Sequence, residues 1–282
     1  MPDTAVSPRI VELSAYTTLK VGGPAELWEV EDTADLVEAT REPYRVLGGG
    51  SNLLVSDDGV AERVIRLGRS YNDVRAFGEG KVDVWLGAAT PLPGLVRRAQ
   101  RAGLSGLEGL LGVPAVLGGA VAMNAGTRFG EMSDTLQEVE LFVNGAVERL
   151  PAADLNLAYR HAELPPGAVV TRARLRLTPS TPEAVQSYMD QVDAAREGQP
   201  KVKSAGCAFK NPAGGSAGRL IDLAGLKGTR VGDAMVAHEH GNFVLNLGAA
   251  TSADVMALVE EVRRRLLERG TSLQLEWRLW GF

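Results

Sequence analysis

The stretch Tyr44-Arg-Val-Leu-Gly-Gly-Gly-Ser-Asn-Leu-Leu54 carries a short apolar run directly into three consecutive glycines. An apolar run that ends in glycine is typical of a strand that opens into a tight loop. The bare backbone N–H groups of such a loop can bind a phosphate without a lysine, and Ser51 and Asn52 add side-chain donors. On local sequence alone, a simple turn between two strands explains the glycines equally well.

Two further glycine-rich stretches lie at Gly112 to Gly126 and at Ala213 to Gly218. In the first, almost every side chain is small, so a flat ring system can approach the backbone, although tight packing of a helix on a sheet requires the same residues. None of the three stretches ends in Gly-Lys-Ser/Thr or reads Gly-x-Gly-x-x-Gly. The sequence therefore argues against the P-loop and dinucleotide-binding folds.

Composition excludes several classes of protein. The 282 residues are 45% hydrophobic and 23% charged, with a net charge of −5 and a pI near 5.4. Such a chain can bury a sizeable core, and its negative charge disfavours nucleic acid as a partner. A single cysteine, Cys207, excludes an intramolecular disulfide and favours a reducing compartment. With three histidines and no His-Glu-x-x-His motif, we expect no catalytic metal.

No segment for export or for crossing a membrane is indicated. Residues 1–8 lack the basic start and apolar core of a secretory signal. The longest weakly polar stretch, Leu110 to Ala125, is interrupted by glycine, proline and asparagine and is shorter than the roughly 20 apolar residues of a spanning helix. We therefore expect a cytoplasmic protein that does not contact the membrane.

Predicted helices and strands are interleaved without a regular βαβ repeat, which favours an α+β fold over a doubly wound sheet. Asn144-Gly145 between two apolar runs predicts a two-residue hairpin turn. A helix is predicted after Thr90, which can cap it, and is predicted to end at Gly103. The break at Thr178 to Pro182 contains two prolines and predicts a domain boundary ahead of the next helix.

The last predicted helix has the clearest pattern. Thr251 and Asp254 form a capping box at its start. Six apolar residues fall on one of its faces: Val255, Leu258, Val259, Val262, Leu266 and Leu267.

Two short stretches near the C-terminal end carry reactive side chains. Ser204 to Pro212 places a thiol, an ammonium group, an amide and an aromatic ring within nine residues. Its Cys207 is either inert packing or a positioned proton donor. Glu276 and Arg278 share one face if their segment is extended, and form either a surface ion pair or a site for a charged substrate.

Blocks of residues along nearly the whole chain occur together, in the same order, in one known family. The blocks are Thr17-Thr-Leu-Lys-Val-Gly-Gly-Pro24, Gly48-Gly-Gly-Ser-Asn52, Gly112-Val-Pro-Ala115, Gly118-Gly-Ala-Val-Ala-Met-Asn-Ala-Gly126, Tyr159-Arg160, Ser204 to Pro212, Ala224-Gly-Leu-Lys-Gly228, His240-Gly-Asn-Phe243 and Leu275-Glu-Trp-Arg278. Together they resemble the UDP-N-acetylenolpyruvoylglucosamine reductase family, MurB, in its shorter form. This joint match is far more specific than any single block.

The resemblance implies a vanillyl-alcohol-oxidase/PCMH-type FAD-binding fold of two subdomains, residues 1–68 and 69–178, followed by an α+β substrate-binding domain, residues 179–282. By position, the family's three catalytic residues correspond to Arg160, Cys207 and Glu276 of this chain. Contacts with FAD are implied for Gly48, Gly49, Gly50, Ser51, Asn52, Thr90, Gly112, Val113, Pro114, Gly118, Gly119, Asn124 and Gly126. Contacts with substrate are implied for Tyr159, Arg196, Asn211, Arg219 and Arg278. For Tyr159, a role in orienting Arg160 and simple packing in the core stay open as alternatives. Many family members have serine at the place of Cys207, which is the main departure.

The resemblance also implies the reaction and its partners. NADPH would reduce FAD, and the flavin would deliver a hydride to UDP-N-acetylglucosamine enolpyruvate, giving UDP-N-acetylmuramate for peptidoglycan. Arg160 and Glu276 would stabilise the negative charge that builds on the substrate carboxylate. Cys207 would supply the proton, since a thiol is a far stronger acid than an alcohol. The enzyme is expected to act as a monomer.

Two rival functions remain open. An FAD-linked oxidase of the same fold would leave the blocks Ser204 to Pro212 and Leu275 to Arg278 without a role. A non-catalytic nucleotide-sugar binding module would not need chemically capable residues at all three catalytic places.

Overall fold

A computed structural model describes residues 7–78, 81–200, 202 and 204–282. The expectation about a secretory signal depends mainly on residues 1–6, which lie outside the described residues. The strands are β1 (Arg9–Glu12), β2 (Pro24–Val30), β3 (Tyr44–Val46), β4 (Leu53–Val55), β5 (Arg63–Leu67), β6 (Asp83–Gly87), β7 (Leu104–Ser105), β8 (Gly126–Thr127), β9 (Gly130–Glu131), β10 (Leu136–Val143), β11 (Ala146–Pro151), β12 (Val169–Arg176), β13 (Thr178–Pro179), β14 (Ser204–Cys207), β15 (Arg230–Val231), β16 (Ala234–Val236), β17 (Phe243–Asn246) and β18 (Arg278–Trp280). The α-helices are α1 (Thr33–Ala39), α2 (Leu92–Arg101), α3 (Leu117–Ala122), α4 (Pro182–Ala194), α5 (Ala217–Leu223) and α6 (Ser252–Leu267).

The chain forms two compact units, each assembled from separate stretches of sequence. Unit 1 is built mainly from residues 27–49 and 63–197, and unit 2 from residues 9–26, 50–62 and 198–282. Helix α4, which follows the predicted boundary at 178/179, lies in unit 1 and packs on α2. The division into three domains stays a prediction.

The main sheet of unit 1 is antiparallel, with the strand order β11-β10-β12-β6. Helices α2 and α3 share a buried core with β6, β10 and β12, in which Leu86, Leu95 and Leu117 are fully buried. The predicted hairpin is confirmed: Asn144 and Gly145 have φ of 51° and 80° and join β10 to β11 in a two-residue turn.

In unit 1 three strands of a second sheet lie in the order β2-β5-β3 and pair in parallel. Strand β3 ends at Val46, and Leu47 donates its N–H to the carbonyl of Ile65 at 2.8 Å. The prediction that a strand opens directly into the glycine loop is therefore confirmed.

Unit 2 contains an antiparallel sheet with the strand order β14-β17-β16-β15, against which α6 packs. The capping box of Thr251 and Asp254 is present at the start of α6. Strand β18 pairs in parallel with β4, which places the C-terminal end of the chain beside the residues that follow the glycine loop.

Two details predicted for the helices are wrong. Thr90 does not cap α2; the cap is Pro91, and the Thr90 side chain is buried at 3% exposure. The carbonyl of Thr90 accepts the N–H of Leu117, so tertiary contact with α3 fixes its position. Leu267 is 65% exposed, because each residue advances about 100° around a helix and Leu267 directly follows the buried Leu266. Within the described part of the chain, no helix is long and apolar enough to span a membrane.

Candidate active site

In unit 1 the first glycine loop packs against the second. A Cβ added to Gly49 would lie 3.1 Å from the carbonyl oxygen of Pro114, and one added to Gly48 would lie 3.4 Å from a methyl group of Val116 and 3.6 Å from the Cα of Gly119. At Gly49 only glycine permits this approach without a shift of the neighbouring loop, whereas a Cβ at Gly48 would make ordinary van der Waals contacts. Two of the three glycine-rich stretches that competed for a binding role in the sequence are thus parts of one surface.

A third segment completes this surface. The N–H of Leu92 donates to Ala115, the N–H of Leu117 donates to Thr90, and the N–H of Gly118 donates to Ala88 at 2.8–2.9 Å. Residues 48–49, 88–92 and 112–119 together form what we call the loop cluster. Strand ends and a helix start therefore meet in a region of small side chains and exposed backbone.

The buried side chain of Thr90 indicates that the loop cluster fits FAD. Its Oγ1 is buried and has no hydrogen-bond partner among the residues that the structure describes. A buried hydroxyl without a partner costs about 1–3 kcal/mol, and a polar ligand atom would remove that cost. Glycine backbone for close approach and a buried hydroxyl lacking a partner fit a dinucleotide with a flat ring.

Other predicted contact residues have protein partners around this cluster. The Nη2 of Arg196 donates to the carbonyl of Gly112 at 3.2 Å, and Gly112 has φ of 77°. A Cβ on Gly118 would lie 3.0 Å from the Cβ of Ala88. Gly126 is buried at the start of β8, and Val113 is half-buried. Arg196 therefore supports the loop that was predicted to hold the cofactor.

Arg160 lies in a tight turn of unit 1. Ala158 and His161 exchange backbone hydrogen bonds of 3.0 Å, so Tyr159 and Arg160 are the two residues at the tip. The Arg160 backbone has φ of 55°, and its guanidinium stacks on the Tyr159 ring at 5.1 Å. Tyr159 is 48% exposed.

Asn124 connects this turn to the rest of unit 1. It is fully buried, its Nδ2 donates to the carbonyl of Ala158 at 3.1 Å, and its Oδ1 accepts the N–H of Ser133 at 2.9 Å. Its predicted contact with FAD stays a prediction. In the structure Asn124 also holds the base of the Arg160 turn.

In unit 2 the rest of the glycine loop lies beside two of the predicted catalytic residues. Gly50 has φ of 62° and packs against Tyr16 and Thr17. The carbonyl of Ser51 lies 3.9 Å from the Cβ position of Gly206, which precedes Cys207. Asn52 donates through Nδ2 to the carbonyl of Glu276 at 3.2 Å and accepts the N–H of Arg278 at 3.0 Å.

Cys207 and Glu276 lie on adjacent segments of unit 2. The N–H of Glu276 donates to the carbonyl of Ala208 at 2.7 Å, and Phe209 pairs with Leu275. The thiol and the carboxyl residue are both half-buried. Unit 2 therefore brings two of the three predicted catalytic residues onto paired backbone, whereas Arg160 belongs to unit 1.

Two predicted substrate contacts lie at the start of helix α5: Asn211 precedes the helix and Arg219 is in its first turn. The Oδ1 of Asn211 accepts the N–H of Ala217 at 3.0 Å, and Ser216 caps the helix. Asn211, Arg219 and Arg278 are exposed. The guanidinium groups of the two arginines are therefore accessible to an anionic ligand.

Sequence reasoning missed Asn242. It is 2% exposed and bonds to both backbone polar groups of Phe209, two residues after Cys207. The available signal was its position inside the block His240-Gly-Asn-Phe243, to which no role was given.

Comparison with known proteins identifies the family. A profile of the C-terminal domain of UDP-N-acetylenolpyruvoylglucosamine reductase matches residues 199–280, and a profile of an FAD binding domain matches residues 20–149. The chain is 58% identical over 270 residues to the UDP-N-acetylenolpyruvoylglucosamine reductase of Thermus thermophilus, covering 96% of this chain and 98% of that protein. It is 52% identical over 277 residues to that of Deinococcus radiodurans, covering 96% and 94%.

A solved structure agrees with these matches. The crystal structure of UDP-N-acetylenolpyruvylglucosamine reductase from Thermus caldophilus superposes with a TM-score of 0.92 at 57% identity, covering 98% of this chain and 99% of that one. The predicted α+β fold with an FAD-binding domain is confirmed. This chain belongs to the UDP-N-acetylenolpyruvoylglucosamine reductase family.

Proposed function

We propose that this protein reduces UDP-N-acetylglucosamine enolpyruvate to UDP-N-acetylmuramate with FAD as its cofactor and NADPH as the reductant, in the synthesis of peptidoglycan precursors. The observation that carries the proposal is 58% identity over 96% of the chain to a relative named for this reductase activity. The enzyme is an oxidoreductase, UDP-N-acetylmuramate dehydrogenase. The loop cluster supports the choice of cofactor, because its glycines and the Thr90 hydroxyl fit FAD.

The substrate would receive a hydride at its terminal vinylic carbon from bound FAD that NADPH has first reduced. Addition there leaves negative charge on the neighbouring carbon and its carboxylate. Arg160 is suited to stabilise that charge, because its turn fixes the backbone and a guanidinium offers two parallel donors to a carboxylate. Glu276 contributes as a hydrogen-bond partner, and its backbone is held by Ala208 and Asn52.

The enolate carbon then needs a proton, and Cys207 supplies it. A thiol has a reference pKa near 8.5, so it is a far better acid than the hydroxyl of a serine. Cys207 ends strand β14 and is half-buried, which keeps the thiol accessible to a substrate while its backbone is fixed.

The anionic parts of the substrate require cationic partners, because the protein as a whole is negatively charged. We assign the substrate carboxylate and diphosphate to Arg196, Arg219 and Arg278, with Tyr159 and Asn211 as neutral hydrogen-bond partners. The exposed guanidinium groups of Arg219 and Arg278 support this assignment. The same proposal includes a monomeric enzyme in the cytoplasm, where the lone Cys207 stays reduced.

The test is an absorption spectrum followed by an NADPH oxidation assay. The purified protein should carry, or take up, a flavin with its visible absorption, and NADPH should be oxidised rapidly only when the enolpyruvyl UDP-sugar is present. Protein that cannot be reconstituted with FAD would favour a nucleotide-sugar binding module. Rapid oxygen consumption with a simple alcohol would favour an FAD-linked oxidase.

A further inference from the structure

The carboxamide of Asn242 makes the hydrogen bonds that a neighbouring strand would make to the segment after Cys207. Its Nδ2 donates to the carbonyl of Phe209 at 2.8 Å, and its Oδ1 accepts the N–H of the same residue at 2.9 Å. The backbone carbonyl of Asn242 accepts the N–H of Ala208 at 2.8 Å. Strand β17 pairs Phe243 with Cys207, so the Asn242 side chain continues the ladder beyond the end of that strand.

The opposite edge of the same segment bonds to the C-terminal part of unit 2. Glu276 donates its N–H to Ala208 at 2.7 Å, and Lys210 donates its N–H to Gln274 at 2.9 Å. Residues 208–210 therefore lie between Asn242 on one side and residues 274–276 on the other. A shift of this segment would move Cys207 and Glu276 together.

We propose that Asn242 is a positioning residue that sets the thiol of Cys207 and the carboxyl of Glu276 in place for the proton-transfer half of the reaction. This inference rests on the proposed function for the roles of those two residues. Asn242 is 2% exposed, so it acts through the backbone of Phe209 and not by touching the substrate. An amide suits the task because one group must both donate and accept.

The rest of the block holds Asn242 rigidly. Its N–H donates to the Nδ1 of His240 at 3.2 Å, and the His240 ring packs edge-on against Phe243 at 5.0 Å between centroids. A Cβ on Gly218 would lie 2.9 Å from that ring, so the histidine is packed tightly on α5. Burial, with the positive charge of Lys227, lowers the pKa of His240 and favours the neutral imidazole, which has one ring nitrogen able to accept a hydrogen bond.

The chain offers a matched control in Asn246, at the other end of β17. Asn246 is 6% exposed, its Nδ2 donates to the carbonyl of Leu19 at 2.9 Å, and its Oδ1 accepts the N–H groups of Gly248 and Ala250 at 2.9 and 3.1 Å. It thus has the same chemical role as Asn242 in the same unit. Its partners lie outside residues 207–210 and 274–276.

The experiment compares Asn242→Asp with Asn246→Asp in the FAD-loaded enzyme. An aspartate keeps the acceptor but puts a carboxylate oxygen against a carbonyl, so both variants should lose stability. We expect kcat to fall about 100-fold in Asn242→Asp, since a displacement near 1 Å can cost that much, with KM changed by less than about threefold. Asn246→Asp should keep the wild-type kcat.

Alkylation of Cys207 by iodoacetamide gives a second readout that needs no turnover, because the chain has a single cysteine. The alkylation rate should change in Asn242→Asp and stay at the wild-type value in Asn246→Asp. Equal kcat and equal alkylation rates in the two variants would overturn the inference. If wild-type protein fails to use the substrate, the proposed function fails, and the alkylation rates still decide whether Asn242 positions the thiol.

A double variant tests whether the loss of kcat in Asn242→Asp acts through Cys207. If Asn242 acts through Cys207 as well as Glu276, the change Asn242→Asp should lower kcat by a smaller factor in a Cys207→Ala background than in the wild-type background. Full additivity of the two losses would show that Asn242 does not act through the thiol. Should Asn242→Asp not fold, Asn242→Ser, which leaves room for a water molecule, replaces it in both measurements.

Discussion

Arg160 adopts a backbone conformation that is costly for any residue with a side chain. Its φ of 55° lies in the left-handed region, which only glycine and a few polar residues enter readily. The bonds between Ala158 and His161, and the hydrogen bond from Asn124 to Ala158, hold the turn in this form. Strain of this kind persists where the surrounding structure enforces it, and it is concentrated at functional sites.

Comparing Arg160→Gly with Arg160→Ala separates this strain from the function of the side chain. Both variants lose the guanidinium, so both should lose about 100-fold or more in kcat. Only glycine relieves the strain of the left-handed backbone. The free energy of unfolding of Arg160→Gly should therefore exceed that of Arg160→Ala by about 1 kcal/mol. Denaturant unfolding of the two variants measures the difference, and equal stabilities would mean that the turn stores no strain.

At the level of elements, the binding surface of unit 1 arises where loops meet. Strand β3 and helix α3 lie far apart in sequence, yet their ends bring Gly48 and Gly49 against Pro114 and Val116. The close approach depends on the missing side chains, since the backbone of Gly49 has an ordinary φ. A methyl group at this position would therefore act on the spacing of the loops and not on backbone strain.

We expect Gly49→Ala to weaken FAD binding by about tenfold, equivalent to about 1.4 kcal/mol. Its Cβ would lie 3.1 Å from the Pro114 oxygen and 3.4 Å from the Ala115 Cα, so the loops must separate slightly. Gly94→Ala in helix α2 is the control, because a Cβ there meets nothing within 4 Å. That change should stabilise the helix by roughly 0.5–1 kcal/mol and leave FAD affinity unchanged. Flavin fluorescence titration of the apoprotein measures both affinities, and equal affinities would contradict the role of the loop contact.

For the molecule as a whole, several ionisable groups favour their deprotonated forms in the folded state. Hydrogen bonds from Arg75 lower the pKa of Asp73 to about 2, and hydrogen bonds from Arg264 and Arg265 lower that of Glu261 to about 2. Burial lowers the pKa of His240. In each case the unfolded chain binds the proton more readily, so stability rises with pH across the interval between the two pKa values.

The protein should therefore lose stability on acidification in two stages. The first, below about pH 6.5, comes from His240, and the second, below about pH 4, comes from the carboxylates. In His240→Gln the slope of unfolding free energy between pH 7 and pH 5 should be smaller than in wild type. His161→Gln, at an exposed histidine in unit 1, should keep the wild-type slope. Denaturant unfolding across that pH range measures both, and an unchanged slope in His240→Gln would refute the assignment.

Local signals in the sequence were sufficient for several elements. The Asn144-Gly145 hairpin, the capping box of α6 and the strand that runs into Gly48 each depend on residues that are close in sequence. The local pattern failed at Thr90 because contact with Leu117 decided its position. The prediction for Leu267 was wrong because this residue directly follows the buried Leu266 and so lies on a different side of the helix.

By itself, the sequence determined the α+β class, the three glycine-rich stretches and, through the order of its blocks, the family. Only the tertiary structure decided that Gly49 touches Pro114, that Arg160 is held at positive φ, that Thr90 presents a buried hydroxyl, and that Asn242 supports the segment of Cys207. The physical reason is the separation in sequence between the residues that interact. Turns and caps are satisfied by neighbouring residues, whereas a close approach between loops or a hydrogen bond over 33 residues exists only after the chain has folded.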